Sequence, residues 1–466
     1  MLEYFGTNAM FVRRLLFYTV VSSFAISGCT NTSTDAAWPE RRPMGREFRT
    51  FQPPKEPPVS VQRSPEAAEP NGVITLPQAS AFALMHSPEL AAFSFEIRAA
   101  EARALQAGLW PNPELEVEAE NVGGTGELSG FDGAETTIGL GQLIELAGKR
   151  AKRRRLAMLQ SVVAGWDYEA KRLDVLRQVA QAYVALVAAQ QRVELATDLV
   201  RLSERTYTTV AERVEAGKDS PVEQTRAQVA LANAEIGLKK AKRRLEAARK
   251  ELAATWGGKQ PKFDKATGQI EQVAPVPPED ALAAFLPENP AIARWETELD
   301  QHKAAVDLEE ARAVPDPTVM GGYKRLGDAG EDAFVLGLAI PLPLTNRNQG
   351  AIKEAKFNLA KAHKQKQAAE AATYAAFAHA YETLSASYAE VMDIRRIVLP
   401  GAQSAFDAAR QGYQQGKFDF LLVLDSQRTL FNTRMGYLDA LADYHNAKAA
   451  AESLIGREID DVIVKQ

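Results

Sequence analysis

His86-Ser87-Pro88-Glu89-Leu90 is answered later in the chain by Glu288-Asn289-Pro290-Ala291-Ile292, Pro111-Asn112-Pro113 by Pro315-Asp316-Pro317, and Ile138-Gly139-Leu140 by Leu336-Gly337-Leu338. Gly217-Lys218 is answered by Gly416-Lys417, and eleven positions beyond each Gly stands a glutamine, Gln228 and Gln427. The offset stays near 200 throughout. Each match alone is weak, but a shared order and spacing is the mark of an internal repeat. The chain is a duplication, with halves at about 73–256 and 279–456, a Pro-rich linker at 257–278 and a tail at 457–466.

Each half reads the same way. A helix of about twenty residues follows the proline, over 89–108 and again over 291–313, and Pro-x-Pro stops it. Two short strands follow, at 114–122 and 134–142 in the first half and at 318–326 and 333–341 in the second. In the first strand Glu114, Glu116, Glu118 and Glu120 alternate with Leu115, Val117 and Ala119, so the carboxylates share one face. Strands of about ten residues with one apolar face match membrane-barrel strands. An amphipathic hairpin lying on a soluble core is the other reading of the same pattern.

One very long helix comes next in each half, over 145–216 and 346–415. At 1.5 Å per residue these run ~108 and ~105 Å. Leu176, Val179, Tyr183, Leu186, Gln190 and Val193 step by three and four, and Tyr374, Phe377, Tyr381, Leu384, Tyr388 and Val391 repeat the step at an offset of 198. That is a coiled-coil seam. Glycine turns at 217–221 and 416–420 lead into shorter return helices. Gly217 and Gly416 are expected at positive φ, which glycine adopts without strain.

Ahead of the repeat, Arg13 and Arg14 precede a mostly apolar stretch from Leu15 to Ile26 that is too short to span a bilayer. It ends Ile26-Ser27-Gly28-Cys29, which resembles a bacterial lipobox. Residues 1–28 are then a lipoprotein signal peptide and Cys29 the lipidated mature N-terminus, the alternative being an ordinary signal peptide followed by a chance cysteine. Residues 29–72, rich in Pro and polar side chains, are expected as a disordered tether. A formal net charge of −5 offers no basic excess for phosphates, which argues against nucleic-acid binding. With one cysteine and five scattered histidines, the chain has no Cys-cluster metal site, and no phosphate loop, nucleophile elbow or zinc-helix motif occurs. No enzyme activity and no cofactor is expected. The basic run from Lys149 to Arg155 reads either as a solvated helix start or as a patch for lipid phosphates.

Four strands cannot close a barrel by themselves, since small barrels have about eight. Residues 73–456 resemble the TolC-like outer-membrane efflux channels, whose duplication they share. Gly108-Leu109-Trp110-Pro111-Asn112-Pro113-Glu114, Glu135-Thr136-Thr137 and Gln142 to Arg150 are similar to the CzcC-type, cobalt–zinc–cadmium branch. The resemblance implies a mainly α fold with a small β part. It also implies a homotrimer whose strands form one twelve-stranded β-barrel above an α-helical barrel. The implied partners are outer-membrane lipids, a periplasmic adaptor and an inner-membrane pump of the resistance–nodulation–division class. The implied function is passive export, of divalent heavy-metal cations on the branch resemblance. Drug or organic-solute efflux through the same kind of channel, and a lipid-anchored coiled-coil scaffold without a pore, are the alternatives. On the family pattern Glu114, Glu116, Glu118 and Glu120 line the barrel. The periplasmic gate lies at Gly217, Glu223, Tyr413, Gly416, Lys417 and Asp425. Tyr413 matches the gate tyrosine, Asp425 an acidic ring position, and Glu223 the place of a gate aspartate. Leu422 and Phe418 depart from the pattern, standing where a second ring aspartate and a gate arginine are found.

Overall fold

The duplication is visible element by element in a computed structural model, which describes residues 38–56, 69, 71–131, 133–268, 270–327 and 330–463. Residues 1–28, read as a signal peptide, and Cys29 lie outside the described residues. The first half opens with β1 (Gly72–Ile74), α1 (Leu76–His86) and α2 (Pro88–Ala107). The hairpin of β2 (Glu114–Glu120) and β3 (Glu135–Leu143) follows. Then α3 (Lys149–Glu215) runs unbroken for 67 residues, ~100 Å long, and α4 (Pro221–Ala254) returns. After β4 (Phe263–Ala266) and α5 (Glu279–Ala283), the second half repeats the order with α6 (Pro290–Arg312), β5 (Thr318–Leu326) and β6 (Asp332–Ala339). Its long column is α7 (Gln349–Asp393), a π-helical turn at Ile394–Val398 and α8 (Leu399–Gln414). α9 (Phe420–Ile455) returns, and α10 (Ile459–Ile463) ends the described chain.

Each long column has two short helices laid end to end along it. α2 packs on the strand end of α3 and α4 on its far end; α6 and α9 do the same for α7 and α8. The seam buries as its spacing requires: Leu176, Val179, Tyr183 and Leu186 on α3, and Phe377, Leu384 and Val391 on α7, join one core. Tyr374, by contrast, stays exposed. A second, smaller core sits at the far end around Val210, Phe406, Tyr413, Phe420 and Leu430.

β2, β3, β5 and β6 form one antiparallel sheet in the order β2-β3-β5-β6, so β2 and β6 each leave an open edge. The register stacks Leu115, Leu140, Gly321 and Leu336, and then Val117, Ile138, Tyr323 and Phe334, on one face. The opposite face carries Glu116, Gly139, Gly322 and Val335, and then Glu118, Thr137, Lys324 and Ala333. Among the described residues nothing covers the apolar face: Leu115 is 69 % exposed and Leu336 88 %. Among the described residues no helix is long and apolar enough to cross a membrane.

Several sequence-based expectations change. The stretch 29–72 is not an extended tether over 38–56, which lies against the helices. There Arg172, fully buried on α3, donates to Met44 O at 2.7 Å and Arg42 O at 3.0 Å, while its partner Glu169 accepts from Arg42 N at 2.6 Å. Trp38 stacks edge-on against Tyr168, and Met44 N donates to Gly456 O. The prolines forbid helix but not docking. The linker 257–278 is also ordered in its described part: β4 pairs in parallel with β1, and the Gln190 amide exchanges two hydrogen bonds with Ala266. In the tail, Ile459 and Val462 of α10 are buried. The 346–415 helix is interrupted, because Pro400 has no N–H to give; Leu399 N reaches back five residues to Ile394 O instead of four.

Candidate functional site

The two tips share one backbone device. At the end of α3, Gly217 N donates to Val214 O and Lys218 N to Arg213 O; at the end of α8, Gly416 N donates to Tyr413 O and Lys417 N to Gly412 O. Both are Schellman turns, with Gly217 at φ 67 and Gly416 at φ 70. Ser220 and Asp419 then cap α4 and α9. The side chains break the symmetry. Arg213 grips Asp219 with two hydrogen bonds, at 2.7 and 3.0 Å. The corresponding pair in the second half is Gly412 and Phe418, and the Phe418 ring lies so close that a Cβ on Gly412 would meet it at 2.1 Å.

Tyr413 ties the halves together. Its hydroxyl donates to Asp219 Oδ2, the Arg213 guanidinium lies over its ring at 4.7 Å, and Phe420 packs against it at 5.5 Å. The Asp219 side chain is 8 % exposed, and the Arg213 guanidinium, seconded by the Tyr413 hydroxyl, holds its carboxyl below the usual range. Burial, then the Asp219 carboxylate, pushes Tyr413 up, so its hydroxyl stays a donor. Glu223 stands nearby without a bond to Tyr413, pushed up by burial and by the charge of Asp219. The acid that Tyr413 reaches is thus Asp219, not Glu223. Asp425 is exposed and paired within its own helix to Arg428 at 3.2 Å, and Lys417 faces solvent. Asp219 went unnoticed because its repeat partner is Phe418; its signal was the Lys218-Asp219-Ser220-Pro221 helix start, six residues beyond an arginine.

At the opposite end, Glu114, Glu116, Glu118 and Glu120 project from the polar face of the sheet, all exposed. The basic run beneath the strands turns inward. Lys149 pairs with Asp316 at 2.7 Å and also reaches Val314 O. Arg153 bonds Glu145 at 2.6 Å and the carbonyls of Ala107 and Leu109, while Arg150 lies over Trp110 at 3.8 Å. Lys149 and Arg153 thus fasten strand to helix, while Arg155 of the same run stays exposed. His445, a half-buried histidine of α9, contacts Ile270 O at 2.9 Å. Among the described residues no three His, Cys, Asp or Glu side chains gather as a metal would require.

Residues 80–258 and 281–457, one block in each half, match the family of outer membrane efflux proteins. The chain is 36% identical over 389 residues to the cobalt-zinc-cadmium resistance protein CzcC of Cupriavidus metallidurans, covering 84% of this chain and 91% of that one. It is 27% identical over 269 residues to the nickel and cobalt resistance protein CnrC of the same organism, covering 58% of this chain and 63% of that one. Among solved structures, the fold is similar to CusC, at TM-score 0.69 and 18% identity over 88% of this chain and 99% of that one. The Neisseria gonorrhoeae MtrE outer membrane channel, in its open state, gives TM-score 0.69 and 18% identity over 88% of this chain and 98% of that one. Duplicated helical columns, a shared four-stranded sheet with two open edges, and these matches lead to one conclusion: the chain belongs to the outer membrane efflux protein family.

Proposed function

We propose that three copies of this chain close their sheets, β2 edge to β6 edge, into one membrane-spanning barrel. The helical columns continue it as a periplasmic conduit that exports divalent transition-metal cations. The observation that carries this reading is the sheet itself. It has two unpaired edges and a wholly uncovered aliphatic face. Such a surface suits lipid on one side and, with its glutamates, a water-filled lumen on the other. The metal cargo rests on the likeness to the cobalt-zinc-cadmium resistance protein. An adaptor and an inner-membrane pump of the resistance–nodulation–division class would engage the tips, where Val222, Phe418, Leu421 and Leu422 are exposed. Cys29 would anchor each copy by lipid in the outer membrane.

Purified protein in a planar bilayer is expected to give single-channel conductance, and deletion of the gene to sensitise cells to zinc, cobalt or cadmium. A protein that stays soluble once delipidated and never conducts would overturn the conduit in favour of a scaffold. Mass spectrometry of the mature chain is expected to find acylated Cys29 at the N-terminus; an unmodified start elsewhere would remove the anchor.

A further inference from the structure

Lys324 is the one base on the polar face of the four strands; Arg325, the other strand base, points to the opposite face. It stands at the loop end of the sheet, away from the helices, where Glu120 and Glu135 oppose each other across the β2–β3 ladder. Like charges in that arrangement repel. The Lys324 ammonium lies 2.6 Å from Glu120 Oε2 and also pairs with Glu135. Glu114, Glu116 and Glu118 lie opposite Gly141, Gly139 and Thr137 and have no such counter-charge. Among the described strand residues of this face, Glu120 and Glu135 are the one pair of carboxylates set directly opposite each other across a ladder.

Two facing carboxylates supply the oxygen donors that hard divalent cations take. We infer that Lys324 is a tethered counter-cation. Its ammonium fills the paired-carboxylate site at the outer mouth and keeps an outgoing divalent cation from being held there. A conduit has to bind its ions weakly enough to release them. The glutamates that face glycine or threonine draw cations in, and the one directly cross-strand pair is already occupied. The inference rests on the reading that this face lines the export path.

The test is block of single-channel current by calcium added to the outer side of wild type, Lys324→Gln and Lys324→Gln/Glu135→Gln. At ~0.01 M KCl the Debye length of ~30 Å leaves the mouth charges unscreened. Lys324→Gln is expected to lower the half-blocking calcium concentration about tenfold, since one positive charge leaves the ion's first shell. Removing one carboxylate as well should return block to the wild-type level, and Lys324→Arg should match wild type throughout. A purely structural lysine would not produce this gain and reversal. If Lys324→Gln fails to assemble, Lys324→Met keeps the chain length and carries the same expectation. A conducting Lys324→Gln channel with unchanged calcium sensitivity overturns the inference, as does a gain that persists in the double variant. If wild type does not conduct, the conduit reading fails on its own. Calcium titration of the detergent-solubilised variants then still decides Lys324, by tighter binding in Lys324→Gln or by none.

Discussion

Asp219 collects three bonds, two from the Arg213 fork and one from the Tyr413 hydroxyl, and so decides how firmly the tips are joined. A hydrogen bond to a charged group is worth about 1.5–3 kcal/mol. Tyr413→Phe should therefore loosen the tip by about that much, read as faster hydrogen exchange of amides around 210–222 and as higher channel conductance; unchanged exchange would separate Tyr413 from closure. The pH dependence has a definite sign. A carboxylate whose folded pKa is depressed stabilises the tip above its unfolded value of ~3.9, and that stability is lost as pH falls through the folded value. Protection of the tip amides, corrected for their intrinsic exchange, should hold down to about pH 5 and fall only below about pH 4 through Asp219, a fall that Asp219→Asn should abolish. At this scale the sequence was half legible. Gly217 and Gly416 announce their turns, because only glycine takes positive φ cheaply. Asp219 is silent, because its importance lies in a tyrosine 194 residues away.

The elements themselves were easier to read than their fastenings. Strict alternation located β2, since successive strand residues face opposite sides, and the three-four seam located α3, whose seam face is buried. The segment 38–56 was misread because composition reports what a chain cannot become, not what it touches; its signal was the irregular scatter of Trp38, Met44, Phe48 and Phe51. Arg172 and Glu169 have the i,i+3 spacing common on exposed helix faces, yet both are buried beneath that segment. Breaking a buried pair costs about 3–5 kcal/mol. Arg172→Ala should lower thermal stability accordingly and expose 46–56 to proteolysis, whereas an equal change at the exposed Arg201 should do neither. Arg153→Ala leaves Glu145 without its counter-charge at the joint of strand and helix. About 2–3 kcal/mol should be lost there, visible as a lower melting temperature of the assembled protein.

For the whole molecule, the uncovered aliphatic face of the sheet and its open edges define what the single chain lacks. Val117→Arg should hinder membrane assembly by roughly 2–4 kcal/mol if the position lies near the bilayer midplane, measured as the yield of trimer in outer-membrane fractions. Glu116→Gln with Glu118→Gln should leave assembly intact and weaken cation preference, read from reversal potentials in a salt gradient. An unchanged potential would take these glutamates off the conduction path. Asp425→Asn is the matching experiment at the tips: three exposed carboxylates there would attract multivalent cations, so the variant should be blocked less from the periplasmic side alone.

The π turn at Ile394–Val398 makes the two columns differ in stiffness. α3 is continuous through the equivalent stretch, one α-helix with no such turn along its length. The other column carries a joint: Arg395, Arg396, Ile397 and Val398 are exposed in succession, with Pro400 and Gly401 directly below. No buried side chain grips the helix there, and the joint falls between the large core and the small core of the tip. A turn held by no buried side chain is where that column would bend first under load, while the Tyr413–Asp219 link keeps the two turns moving together.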